Sequence, residues 1–220
     1  MAGGAIFDMD GVLVDSGAAH HESWQVLAQQ HGIHISEDRF KESFGRPSRD
    51  IIRLIFGNGL TDEEVGRHDA EKEVAYRELI RGNVPLMPGC RQLLASLRNA
   101  DLTLAVATSG PPENLELVLQ EGDLAGFFAA TVHGFDIEHG KPAPDCFQLA
   151  ARRIGLGPAD CVVVEDAPVG IQAAVAAGMK IIALAGTHPP ELLLAAGASR
   201  VVNYLEEITA DSVRGLLDLR

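Results

Sequence analysis

The sequence predicts an α/β protein, a parallel sheet covered by helices on both faces, with a small all-helical insertion after the first strand. Three observations predict it. Five short apolar runs are followed by turn residues, and most then by a helical pattern, the rhythm of a buried parallel sheet. The stretch from about Gly17 to Gly82 breaks that rhythm, with helical patterns and no convincing strand. The 220 residues, 46% of them hydrophobic, suffice for one large domain or for a core with a smaller appendage.

The predicted strands are Ala5–Phe7, Leu102–Ala107, Ala129–Val132, Cys161–Val164 and Lys180–Leu184. Helices are predicted at Cys90–Arg98, Asn114–Glu121, Pro144–Ile154, Gly170–Ala177 and Pro189–Ala195, with Leu205–Leu219 as a closing helix. Inside the insertion, Ser36 followed by Glu37 and Asp38 marks one helix start. Thr61-Asp62-Glu63-Glu64 has capping-box spacing and marks another. Gly and Pro punctuate the chain near Asp15–Gly17 and Gly82–Pro88, which sets the two connections of the insertion there.

Charge and cysteine usage exclude several function classes. The formal net charge is -13, with 31 acidic residues against 18 Lys and Arg, so a nucleic-acid or anionic-membrane partner is not expected. Cys90, Cys146 and Cys161 are widely spaced with no Cys-x-x-Cys pair, which reads as buried free thiols in a reducing cytoplasm. No apolar run approaches a membrane span, and the N-terminal apolar stretch is interrupted by Asp8 and Asp10, unlike a signal peptide.

Chemistry gathers at the ends of the strands. The first run ends in Asp8-Met9-Asp10-Gly11, and in an extended segment Asp8 and Asp10 project together while Met9 points away. Two close carboxylates call for a compensating cation or proton. The strand Leu102–Ala107 ends in Thr108-Ser109-Gly110 before a helix, where a hydroxyl and backbone N–H groups suit an oxyanion. Gly140-Lys141-Pro142-Ala143-Pro144-Asp145 holds a lysine in a proline-stiffened turn, and Cys161–Val164 runs into Glu165-Asp166. Solvated carboxylates, a helix cap at Ser109 or Asp166, and a loop lysine are the bland alternatives for each segment alone. Ligands of open α/β sheets sit beyond the carboxyl ends of the strands, so neighbouring strands would gather all four segments. Oxygen ligands there suit Mg²⁺.

These four segments, in this order and with a helical insertion after the first, resemble the haloacid dehalogenase superfamily, in particular its phosphatase and β-phosphoglucomutase-like branch. The resemblance implies a three-layer, Rossmann-like α/β core of residues 1–16 and 84–220 with a mobile helical cap of residues 17–83. It implies that Asp8 is a nucleophile forming an aspartyl-phosphate and that Asp10 is the acid and base. Mg²⁺ would be bound by Asp8, the backbone carbonyl of Asp10 and Asp166, with Glu165 joining directly or through water. Thr108, Ser109 and Gly110, with Gly11, would hold the phosphoryl group. Lys141 would bridge Asp8 and the phosphate. In the cap, His20 and Trp24 occupy positions where mutase-like members carry His and Trp. Arg46 or Arg49, in Gly45-Arg46-Pro47-Ser48-Arg49, would reach a distal part of the substrate. The remaining histidines, His31 and His68 among them, show no spacing that suggests a second metal site.

The expected activity is that of a cytoplasmic, Mg²⁺-dependent phosphatase acting on a small phosphorylated metabolite such as a sugar phosphate, as a monomer or weak homodimer. A β-phosphoglucomutase-type phosphomutase is the alternative. A catalytically silent phosphometabolite-binding protein is disfavoured, because Asp8, Asp10 and Lys141 are all present.

Overall fold

Six parallel strands form one sheet in the order β3-β2-β1-β4-β5-β6 in a computed structural model that describes residues 3–35 and 48–218. The strands are β1 (Gly4–Phe7), β2 (Thr103–Ala107), β3 (Ala130–Val132), β4 (Cys161–Glu165), β5 (Lys180–Leu184) and β6 (Arg200–Val202). The five strands read from the sequence are all present. The sixth, Arg200–Val202, is short and begins with an exposed arginine, so its apolar signal is weak.

The chain divides into two compact units, Met1–Ser16 with Asn83–Arg220, and Gly17–Gly82. In the sheet unit, alternating residues bury opposite faces. Ile6, Ala105, Ala107, Val163, Ile181 and Ala183 join one core cluster with Phe147 and Ala150 of α6 (Asp145–Arg153) and Ile171 and Ala174 of α7 (Pro168–Ala176). Phe7, Leu104, Val106, Val162, Val164 and Ile182, of the opposite parity, are equally buried. Further helices are α4 (Cys90–Asn99), α5 (Pro112–Glu121), α8 (Pro190–Ala196) and α9 (Ala210–Leu216). The closing helix is shorter than predicted. Leu205–Glu207 makes a 3₁₀ turn, and the Thr209 hydroxyl then accepts the Ser212 N–H at 3.1 Å and starts α9 afresh. The three cysteines are free and buried.

The second unit contains α1 (Gly17–Gln30), α2 (Ser48–Phe56) and α3 (Asp62–Ile80) among its described residues, and no strand. Thr61 caps α3 as its sequence predicts. Its hydroxyl accepts from the Glu64 N–H at 3.2 Å, and the Glu64 carboxylate accepts the Thr61 N–H at 2.8 Å. Trp24, Leu27 and Ala28, on one face of α1, pack with Ile51, Ile52 and Val65 into a separate core. The helix start expected at Ser36 lies outside the described residues, as does Arg46. Among the described residues no helix is long and apolar enough to cross a membrane.

Candidate active site

The register of the sheet explains where the carboxylates meet. Phe7 pairs with Val106 on one side and Val164 on the other, so the next step along the chain brings Asp8 level with Glu165. The Asp8 N–H continues the ladder, donating to the Val164 carbonyl at 3.0 Å. β1 ends at Phe7, however, so the expected strand-like alternation of Asp8 and Asp10 is not what sets the pair. The chain curls instead. Leu13 N–H donates to the Met9 carbonyl at 2.8 Å and Gly11 N–H to the Val14 carbonyl at 2.8 Å, with Gly11 at φ +74°. That left-handed conformation favours glycine, and a Cβ there would collide with the Asp166 carboxylate. Asp10, half-buried, stands close enough to Asp8 for its charge to act on it.

Lys141 ties the site together. Its Nζ donates to Asp8 Oδ1 at 2.8 Å and to Glu165 Oε1 at 2.7 Å, and lies 4.8 Å from the centroid of the Phe147 ring. The lysine side chain is only 7% exposed, and Asp8, Glu165 and Asp166 are all buried. Glu165 is engaged at both ends, since its Oε2 accepts the N–H groups of Asp166 at 2.7 Å and Ala167 at 2.6 Å. It therefore works first as a brace between the lysine and the start of α7. A Cβ at Gly170, in the first turn of that helix, would overlap the same carboxylate, which accounts for the glycine five residues after Glu165.

Electrostatics mark this cluster as short of positive charge. Burial raises the Asp8 carboxyl well above the usual carboxylate range, against the pull of Lys141. Burial, and then the Glu165 and Asp8 charges, raise Asp166 similarly, while a Thr187 hydrogen bond opposes the rise. Burial disfavours charge on Lys141, yet Asp8 and Glu165 outweigh it and raise the ammonium pKa. Fully ionised, three carboxylates and one ammonium leave two negative charges, the complement of a divalent cation. One oxygen from each of Asp8, Glu165 and Asp166 lies within 4.8 Å of the others. Such hard oxygen donors fit Mg²⁺.

Thr108 lies just past the end of β2. It is buried, and its hydroxyl accepts the Gly110 N–H at 3.0 Å, which closes the turn into α5. Ser109 is exposed at that turn. Two contributors escaped the sequence reading. The Phe147 ring beneath Lys141 lies on a helix that reads only as core, whereas Thr187 follows the carboxyl end of β5, where the strand-end argument could have found it.

Of the expected cap residues, the described ones, His20, Trp24 and Arg49, fall in the helical unit and have partners there. The His20 ring stacks on Tyr76 at 4.1 Å, and its Nδ1 meets Lys72 Nζ at 2.7 Å. Lys72 Nζ also lies 5.3 Å from the Trp24 ring centroid. Arg49 is exposed and pairs with Asp62 at 3.4 Å.

Residues 3–178 match the family model for haloacid dehalogenase-like hydrolases. The chain is a haloacid dehalogenase-like hydrolase. A phosphorylated carbohydrates phosphatase of Thermotoga maritima is 30% identical, over 92% of this hydrolase and 98% of the relative. A β-phosphoglucomutase of Bacillus subtilis is 32% identical, over 94% and 91%. The crystal structure of a family IA, variant 3 hydrolase from Entamoeba histolytica superposes with a TM-score of 0.90 at 28% identity, covering 99% of this hydrolase and 100% of that chain.

Proposed function

We propose that this hydrolase is a Mg²⁺-dependent phosphatase that cleaves a small phosphorylated metabolite, such as a sugar phosphate, through a phosphorylated Asp8. The observation that carries the proposal is the buried Lys141 ammonium shared by Asp8 and Glu165, beside Asp166. A carboxylate can approach a phosphate dianion only where positive charge masks the repulsion. Asp8, Asp166 and the Asp10 carbonyl would hold Mg²⁺, with Glu165 bracing the set. The ion, when bound, supplies the positive charge that draws phosphoryl oxygens toward Asp8.

Asp8 attacks phosphorus, and the bond to the ester oxygen breaks as Asp10 delivers a proton to that oxygen. Asp10 then takes a proton from water as the water displaces Asp8, which regenerates both side chains. Lys141 stays bonded to Asp8 and stabilises charge on the transferring group. Thr108, Ser109 and Gly110, with Gly11, orient the phosphoryl oxygens. Residues 1–16 and 84–220 form the catalytic core of this reading. Residues 17–83 are its cap, whose His20 and Trp24, with Arg46 or Arg49, select the substrate. A small-metabolite phosphatase of this kind works in the cytoplasm, as a monomer or weak homodimer.

The test is hydrolysis of a generic aryl phosphate with and without EDTA. Metal-dependent turnover in the wild type and none in Asp8→Asn supports the proposal, and no turnover on any phosphate ester refutes it. The B. subtilis relative keeps a phosphomutase reading in play. Incubation with β-glucose 1-phosphate and a bisphosphate activator separates the two, because glucose 6-phosphate appearing faster than free phosphate favours the mutase.

A further inference from the structure

A second group of metal-ligating side chains lies wholly within the helical unit. His31 follows the end of α1, and His68 and Glu71 stand three residues apart on α3, hence on one face. His31 Nε2 lies 2.9 Å and His68 Nδ1 3.1 Å from the same oxygen, Glu71 Oε2. His31 and Glu71 are 40 residues apart in sequence, so no local spacing announces them.

We propose that His31 Nε2, His68 Nδ1 and Glu71 Oε2 form a site for an imidazole-seeking divalent transition metal, zinc foremost. Ligands about 2.1 Å from a tetrahedral ion are about 3.4 Å from one another. The observed N–O separations fall just short of that edge, so small outward shifts would admit an ion. The two rings are already oriented. His68 is buried and stacks flat on Phe56, with centroids 4.0 Å apart and planes at 5°. The His31 ring is perpendicular to His68 at 86°. The His31 and Glu71 side chains are each 36% exposed, which provides an entry path and room for a water as fourth ligand.

The donor set sorts the two candidate sites by ion. Two imidazoles and one carboxylate select zinc, cobalt, nickel or copper, whereas the three carboxylates around Lys141 suit Mg²⁺. The competing account is that Glu71 simply accepts two imidazole hydrogen bonds. In that state the metal-facing nitrogens carry the protons. Loading moves those protons to His31 Nδ1 and His68 Nε2 and frees the facing lone pairs. A bound ion would staple the end of α1 to α3 and stabilise the helical unit by linkage.

The experiment titrates the full-length chain with Zn²⁺, and separately with Co²⁺ as a spectroscopic probe, under excess Mg²⁺ to fill the carboxylate site. Metal content after dialysis, the visible Co²⁺ spectrum and the melting temperature are the readouts. His31→Ala and Glu71→Gln alter exposed side chains, and circular dichroism verifies their helicity. One Zn²⁺ per chain at micromolar concentration, a raised melting temperature, and a loss of at least roughly tenfold in affinity in each variant are expected. No binding by the wild type, or binding of equal strength in both variants, overturns the proposal.

Discussion

Gly170→Ala sets two physical effects against each other. Gly170 is the third residue of α7, where alanine would ordinarily stabilise by about 0.5–1 kcal/mol. Its Cβ would instead overlap the Glu165 carboxylate. That side chain is 2% exposed, gripped at Oε1 by Lys141 and at Oε2 by two backbone N–H groups, so it has nowhere to retreat. Relief requires breaking one charge-assisted hydrogen bond, worth about 1.5–3 kcal/mol, with about 1 kcal/mol of residual overpacking. After subtracting the helix gain, the net cost is about 1.5–3.5 kcal/mol. Urea unfolding followed by circular dichroism should show a midpoint about 1 M lower, taking a slope of about 2 kcal/mol/M. Turnover on an aryl phosphate should fall by at least about tenfold, because a displaced Glu165 draws Lys141 from Asp8. Gly66 is the control. It lies inside α3 with nothing within 4 Å of its virtual Cβ, so Gly66→Ala should gain about 0.5–1 kcal/mol. A Gly170→Ala protein as stable as the wild type would refute the steric reasoning.

Other perturbations probe different parts of the hydrolase. Lys141→Ala leaves buried carboxylates without their ammonium and should destabilise the metal-free protein by about 3–5 kcal/mol, part of which added Mg²⁺ should restore in thermal melts. Asp10→Asn should slow both product formation and hydrolysis of the phosphorylated intermediate in rapid-quench experiments, while Mg²⁺ affinity stays near that of the wild type. The two Arg153 hydrogen bonds hold the Asp136 carboxyl down at about 2, against burial, with a third bond from the His133 N–H. A depressed carboxyl stabilises above its unfolded pKa near 4 and loses that contribution as pH falls through about 2. Because Arg153 stands at the surface, solvent screening reduces the contribution to about 1 kcal/mol. Asp136→Asn should therefore melt lower than the wild type at neutral pH and converge with it near pH 2.

Much of the fold and the core of the candidate site were legible because both obey local rules. Buried parallel strands are apolar on both faces, and their carboxyl ends are where polarity begins, so Asp8, Thr108 and Glu165-Asp166 announce themselves. The Thr61 cap of α3 is equally local. What stayed hidden depends on tertiary distance or on competition. The double grip on Glu165 follows from a lysine 24 residues earlier and from the turn into α7. β6 carries too few apolar residues to rise above loop, and the Thr209 hydroxyl divides a segment whose periodicity reads as one helix. His31, His68 and Glu71 meet only because α1 packs along α3.

The central place of β1 has a consequence for biosynthesis. A growing polypeptide carries Asp8 through 133 further residues of elongation before Lys141 exists. At about 5–20 residues per second that interval lasts on the order of ten seconds. Throughout it β1 lacks β4 on one flank, whereas the helical unit's own core is complete in sequence by Val65, less than halfway through the interval, and can assemble ahead of the sheet. The Asp8 carboxylate therefore has no ammonium partner until about two-thirds of the chain has been made, and no Asp166 beside it until about three-quarters has.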